Sequence, residues 1–250
     1  MSSRVFRTFA GDCVTEGMLA DAARLFTENY GVWGACSGRK GPVKLSPRRL
    51  REDLLPAGTT TSYTSVVVDG HLAGHALACR WKHGSKLICW VTQLVVAKEH
   101  REKGLATGLL RCLRDDTVDT YGVLSSHPAT ILAASKAFGS NIEKLDMEFI
   151  GKEAAAVMRD SPIPYIREAR LRGTLFGTND GTELVSGADT DFFVDHTQPL
   201  QVLESVRQGW AWPLGDLPQG HEFLLVVQPW RRRPISSLSR PSKDAAPSVC

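Results

Sequence analysis

The segment Arg101-Glu102-Lys103-Gly104-Leu105-Ala106 sets two cations, a glycine and an alanine between two apolar runs. The run before it, Trp90 to Val96, reads as a strand, and the run after it, to Leu110, reads as a helix. A strand that turns directly into a helix leaves backbone N–H groups free at the helix start, and the helix dipole adds positive potential there. Both favour an anion. Gly104 and Ala106 carry little or no side chain, so a phosphate can approach the backbone, and Arg101 and Lys103 add charge beside it. The chemistry suggested is a phosphate cradle; the alternative is a polar turn that happens to contain a glycine.

Two familiar phosphate sites are excluded by spacing. The pattern G-x-x-x-x-G-K-[ST] is absent, and Gly104 with Gly108 does not make G-x-G-x-x-G. The elements that position the cradle argue the same way. A strand is expected at Arg4–Ala10 and a helix from Thr15 to Tyr30, with Leu19, Ala22, Ala23 and Phe26 on one face. Ser46 and Pro47 open a second helix as cap and first residue. Three antiparallel strands follow, the first two joined at Asp69-Gly70. The third is apolar at nearly every position and belongs at the sheet centre. Nucleotide folds with parallel crossovers lack such a meander. A helix is expected over 104–114, a short strand at "YGVLSS", and a helix from Pro128 to Gly139. Residues 152–173 read as helical with a break at Ser161–Pro164, and 174–185 as a hairpin around Asn179-Asp180-Gly181. "TDFFVDH", a helix over 199–210 and the strand "EFLLVVQ" complete the pattern.

Hydrophobic residues make up 42% of the 250 and charged residues 23%, the balance of a soluble domain with a real core. No apolar run reaches the length of a membrane helix and no signal peptide opens the chain, so a cytoplasmic protein with no membrane contact is expected. The six cysteines form no C-x-x-C pair and read as reduced, buried thiols, with no metal site expected. The net charge of +3 is concentrated at the end. Residues 231–250 carry four arginines and one lysine against Asp244, or +4, which leaves the body near −1. A body without basic excess is not that of a nucleic-acid binder. One domain is expected over residues 1–230, decorated in its C-terminal third, followed by a disordered basic tail over 231–250.

The cradle and its placement resemble the GNAT N-acyltransferases. Their signature is a strand ending in an apolar triplet, four variable residues, then [RQ]-x-x-G-x-[GA]. Here it is Leu94-Val95-Val96, Ala97 to His100, then Arg101 to Ala106, with Lys98 where the family has a proline. The element order over roughly residues 4–150 is similar too, and "WVTQLVV" and "YGVLSSHPATILAASKAFG" resemble an uncharacterised fungal GNAT group. The resemblance implies an α/β (α+β) GNAT fold, with a mixed, mostly antiparallel sheet splayed between strands 4 and 5 and helices on both faces. It implies an N-acetyltransferase that moves the acetyl of acetyl-CoA, or another acyl group, to a small-molecule amine. Backbone N–H groups of Arg101, Glu102, Lys103, Gly104, Leu105, Ala106 and Thr107 would hold the pyrophosphate. Leu94 and Val96 would bond the pantetheine arm as an added strand, and an N–H near Leu94 or Val95 would polarise the thioester.

The family's proton-transfer groups are not where the resemblance puts them. Trp90, Thr92 and Gln93 occupy the strand positions of the usual base, and Ser135 stands where many members have a tyrosine. His127, before Pro128 at the splay, is the relocated candidate; equally, it caps the helix or packs. Asp195, His196, His221 and Glu222 flank the last two strands, either as catalytic groups or as ordinary strand-end polar residues. Glu28, Tyr30 and Trp33 lie where an acceptor loop is expected, with anchoring of that loop on the core as the alternative. Trp210 and Trp212 either line the acceptor pocket or support a homodimer contact. The rival function is a GNAT fold that binds CoA without transferring its acyl group.

Overall fold

The computed structural model describes residues 3–139, 141–178 and 181–229. The tail expected at 231–250 and the hairpin tip at Asn179-Asp180 lie outside these. Eight strands form one mixed sheet in the order β1-β2-β3-β4-β5-β8-β7-β6. They are β1 (Arg4–Ala10), β2 (Thr60–Val68), β3 (His71–His83), β4 (Lys86–Val96), β5 (Thr120–Ser125), β6 (Arg170–Arg172), β7 (Gly187–Asp189) and β8 (His221–Val227). Among the described residues only β4 and β5 pair in parallel, and every other ladder is antiparallel. This is the GNAT fold.

Local chemistry sets most of the elements. The turn between β2 and β3 has Asp69 and Gly70 both at positive φ, 48° and 85°, the twist a two-residue hairpin needs. Helix α1 (Glu16–Asn29) starts where the Thr15 hydroxyl accepts from the Met18 N–H, and it buries Leu19, Ala22, Ala23, Leu25 and Phe26. Helix α2 (Pro47–Arg49) is capped by Ser46 and runs on as a π turn to Leu54. Then follow α3 (Leu105–Arg111), α4 (Pro128–Phe138), α5 (Met147–Arg159), α6 (Pro164–Arg167) and α7 (Thr197–Gly209).

One sheet face carries α3, α4 and α7 over a core that includes Val91, Leu109, Ile131, Phe138, Leu203 and Phe223. The other face carries two larger cores and a smaller cluster of Phe26, Val43, Val95 and Val194. Leu19, Leu50, Tyr63 and Leu77 pack near α1 and α2, and Ile88, Trp90, Ile150, Val157 and Leu224 pack near α5 and α6. Tyr165 packs against both.

Two local irregularities open the sheet. The β3–β4 register shifts between Leu77 and Ala78, opposite Gln93 and Val91, so Thr92 is the extra residue of a β-bulge. The β4–β5 ladder runs only from Ile88↔Thr120 to Val91↔Val123. Beyond it β4 continues to Val96 with β5 no longer beside it, and the strands splay. At the last paired turn a Cβ on Gly122 would come 2.1 Å from the Trp90 ring, so a glycine is required there.

Of the cysteines expected to be buried, Cys79 and Cys89 are, but Cys13, Cys36 and Cys112 lie outside the strands and are exposed. The C-terminal third also departs from expectation. Residues 170–172 are strand, not helix, because they pair with Gly187–Asp189 rather than extend α6. In the predicted hairpin segment, Thr174–Phe176 form a single 3₁₀ turn. "TDFFVDH" contributes only a bridge, Trp33↔Val194. Helix α7 lies between β7 and β8 and caps the α4 face.

Candidate active site

The splay is a cleft with two unlike walls. On one side is β4. The Ala97 N–H bonds Ala73 O on β3 at 2.9 Å, and alternation therefore turns the peptide groups of Leu94 and Val96 the other way, toward the missing strand. Leu94 and Val96 are half-buried and Val95 is buried. An extended ligand fits this edge as one more strand.

The loop after β4 supplies the phosphate end. Gly104 caps α3 in the left-handed region, φ 77°, and a Cβ added to it would meet nothing within 4 Å. It offers no side-chain acceptor, so the N–H groups of Leu105, Ala106 and Thr107 face outward at the helix start. Arg4, His100 and Lys103 line a cavity of about 160 Å³ on the β1 side of this loop. Arg4 donates to Lys103 O at 3.1 Å, and Lys103 donates to Glu99 O at 2.7 Å. Arg101 has a different task from the one expected. Its guanidinium donates to Asn29 O at 2.6 Å and to Val96 O at 3.4 Å, so it clamps the C-terminus of α1 to the end of β4. Burial lowers its pKa. Asn29 completes the clamp by accepting from the Lys98 N–H at 2.9 Å. Glu102 sits at φ 61° and lines a groove of about 370 Å³ with α7, whose far rim is Trp210.

The opposite wall comes from β8, α6 and the end of α1. Phe223 pairs with Ser125, the last residue of β5, and Glu222 is one position beyond it. Ser125 lies two past Val123, whose partner is Val91, so Glu222 is level with Gln93 and Leu94 across the gap. Its side chain shares a face with Leu224 and Val226 and is buried, 7% exposed. Burial pushes its pKa up to about 7, against a smaller pull from the Thr190 hydroxyl. Its charge acts on two phenols, Tyr30 and Tyr165, both held above the usual tyrosine range mainly by burial. The Tyr165 hydroxyl donates to the bulge carbonyl Thr92 O at 3.1 Å.

Gln93 accepts from the fully buried His75 ring, Nε2 to Oε1 at 2.7 Å. Burial lowers the His75 pKa to about 4, so the ring is neutral; assigning its proton to Nε2 leaves Nδ1 a bare acceptor rather than an orphaned donor.

The sequence candidates divide. His127 is the N-cap of α4: its Nδ1 accepts from the Ala129 N–H at 3.2 Å. Burial, then the nearby Arg101 charge, lowers its pKa to about 4. A neutral ring whose Nδ1 lone pair is used carries its proton on Nε2, and so can donate but not accept there. Ser135 is buried inside α4 and donates to Leu132 O at 3.1 Å. Asp195 is exposed and accepts from the Thr197 N–H at 2.8 Å, a surface cap that lowers its pKa. His196 is buried, 1% exposed, with neither ring nitrogen bonded, and burial lowers its pKa. Glu28 is exposed on α1. Tyr30 and Trp33 are brought together by Phe192, with ring centroids 5.9 and 5.6 Å away. The Val32–Gly34 segment bonds across to 193–195, Gly34 N to Phe193 O and Asp195 N to Val32 O, each at 2.9 Å. This bridge closes the outer end of the cleft. Tyr165 was not singled out in the sequence. The usable signal for Glu222 was its parity with Leu224 and Val226, a carboxylate on the inward face of a buried strand.

Among the described residues no helix is long and apolar enough to cross a membrane, and no group of three or more His, Cys, Asp or Glu could hold a metal ion.

Residues 24–127 match the Acetyltransferase (GNAT) family. Among solved structures, the chain is similar to the ribosomal-protein-S18-alanine N-acetyltransferase from Escherichia coli, at 13% identity and TM-score 0.39, over 53% of this chain and 76% of that one. It is also similar to the ribosomal-protein-alanine N-acetyltransferase from Brucella melitensis biovar Abortus 2308, at 16% identity and TM-score 0.32, over 44% of this chain and 70% of that one. An aminoglycoside acetyltransferase from an uncultured soil metagenomic sample is 13% identical with TM-score 0.32, over 44% of this chain and 66% of that one. At this level the likeness concerns the fold alone. No curated protein matches the chain.

Proposed function

With residues 24–127 matching the GNAT acetyltransferase family, we propose that the protein is an acyl-CoA-dependent N-acyltransferase. In this reading it moves the acetyl group of acetyl-CoA to a small-molecule amine by direct attack. The observation that carries the reading is the β4 edge: paired with β5 only as far as Val91, then bare beside a glycine-capped helix start. The residues present fit the co-substrate. Leu94 and Val96 offer backbone groups to the pantetheine amides. Leu105, Ala106 and Thr107 offer N–H groups to the pyrophosphate, and Gly104 keeps the approach open. Arg4 and Lys103 supply positive potential beside it. The N–H of Leu94, which faces the cleft where that of Val95 faces β3, polarises the thioester carbonyl. His127 serves as a neutral Nε2–H donor toward the leaving sulfur rather than as a base. The bridge between Val32–Gly34 and 193–195 supports a small acceptor over a protein surface.

The test combines binding and turnover. Acetyl-CoA and CoA each raise the melting temperature by mass action, compete with each other, and acetyl-CoA yields free thiol in the presence of an amine. If neither ligand shifts melting, the reading falls. A shift without thiol release from any amine favours a CoA-binding protein that performs no transfer.

A further inference from the structure

We propose that Glu222, from β8, is the general base that takes the acceptor amine's proton, at the gap that β4 leaves beyond Val91. The inference rests on the transferase reading above and names the group that β4 does not supply.

Four observations converge. Glu222 is level with Gln93 and Leu94, where the reading places the thioester carbonyl. It lies on the same sheet face as Tyr165, whose hydroxyl reaches across to Thr92 O on the far wall. The Thr190 hydroxyl beyond β7 acts on it, and its own charge acts on the phenols of Tyr30, at the end of α1, and Tyr165, from α6. No cation among the described residues pairs with it. A buried carboxylate without a cation is costly to a fold and is kept where a ligand provides the missing charge. An ammonium entering the gap beside β4 is that charge. The acceptor is therefore cationic in solution, a primary or secondary amine.

The proton balance is simple. The ammonium gives one proton to the Glu222 carboxylate. The neutral nitrogen forms its bond to the acetyl carbon, the C–S bond breaks, and the proton shed by the new amide nitrogen ends on the sulfur. Glu222 returns its proton to solvent. The products are amide, free thiol and one proton.

The experiment follows thiol release from acetyl-CoA in the full chain, in Glu222→Gln and in Glu222→Asp. The nucleophiles are a panel of primary amines and, separately, hydroxylamine, which is already neutral at pH 7 and needs no base. Glu222→Gln is expected to slow the amine reaction by about 10²–10⁴-fold. It should leave the hydroxylamine reaction within a few-fold, and the rise of the amine rate near pH 7 should vanish. Glu222→Asp, with its carboxylate withdrawn by one methylene, should keep that rise at a lower rate, and stands in if the glutamine variant is unstable. Equal losses with both nucleophiles, or no loss, overturn the base. So does a parent protein that uses hydroxylamine but no amine. A parent that binds no acetyl-CoA, or binds it and releases no thiol to either nucleophile, overturns the transferase reading and the base together, a result distinct from failure of Glu222 alone.

Discussion

Residues 24–127, which also lend Tyr30 to the far wall, and residues 128–229 build the two walls of the cleft in different ways. The first stretch holds the β4 edge and the proposed Gly104 cradle, from contiguous chain, and the Arg101 clamp that ties them to Asn29 at the end of α1. The second brings Glu222 and Tyr165 to the gap from β8 and α6, which meet only because β8 inserts beside β5. Backbone does the work on the first wall, ionisable side chains on the second. The lesson is that a cofactor wall made of peptide groups survives as a short motif. An acceptor wall made of side chains can be drawn from any strand that reaches the gap.

The largest effect separates the walls outright. Gly104→Glu places a side chain and a negative charge in open space where the pyrophosphate is proposed to sit. With φ at 77° it also adds backbone strain of about 1–2 kcal/mol. The expected protein folds, melts slightly lower, and shows no acyl-CoA shift, whereas Glu222→Gln keeps the full shift. Gly104→Ala carries the strain without the charge and should retain part of it. A full shift in folded Gly104→Glu would remove the cradle from the first wall.

The second effect reads the other wall without any substrate. Glu222 titrates at about 7 in the fold against an ordinary 4.5, so it is raised. Between those values the folded state holds the extra proton, and stability falls as pH rises, fully present below 4.5 and lost through 7. A shift of that size corresponds to about 3 kcal/mol. Urea unfolding of Glu222→Gln and parent from pH 4 to 8 should show the variant gaining on the parent by that order. His75 and His127, both lowered to about 4, act in the opposite sense, adding stability as pH rises toward 6.5. They are common to both proteins and cancel in the difference. A flat difference would mean that Glu222 is not a buried carboxyl poised to titrate.

Legibility in the sequence follows the same division. Asp69-Gly70, Ser46-Pro47 and His127-Pro128 announce turns and helix starts because each is a local steric or capping device. The glycine-capped helix start at the proposed cradle was legible because its residues adjoin. The β6 strand at Arg170–Arg172 was read as helix because three residues carry no period, and only Gly187–Asp189 decides their state. Ser135 and Asp195 looked available by type, yet one bonds its own helix and the other caps the next. Tyr165 gave no signal, since its role depends on Thr92 being pushed out by a bulge.

Tyr165→Phe probes that bulge, where the walls touch. It removes the hydrogen bond to Thr92 O and keeps the ring. A lost bond of this kind costs about 1 kcal/mol, seen as a fall of a few degrees in melting temperature. Because the cradle is remote, the acyl-CoA shift should persist, while KM for the amine should rise more than kcat falls. A lost acyl-CoA shift would show that the two walls are one mechanical unit and would break the comparison.

The smallest effect lies within the cradle loop, at Glu102. This residue holds a left-handed backbone, φ 61°, with a side chain that disfavours it. Glycine relieves the strain but loosens the unfolded chain, by about 0.4–1 kcal/mol, so Glu102→Gly should gain at most a few tenths of a kcal/mol. The carboxylate is exposed on the same loop that faces the proposed pyrophosphate. Removing it should therefore tighten acyl-CoA binding a few-fold at low salt, with the gain fading as salt rises, because an exposed charge is screened within about 10 Å at 0.1 M. Glu102→Gln keeps the side chain and the strain and removes only the charge. If the affinity gain is electrostatic, both variants share it and only the glycine variant gains stability. Titration of acetyl-CoA at two salt concentrations, with melting curves alongside, distinguishes them. An unchanged affinity in both variants would place the pyrophosphate away from this face of the loop and narrow the cradle to the N–H groups of Leu105, Ala106 and Thr107.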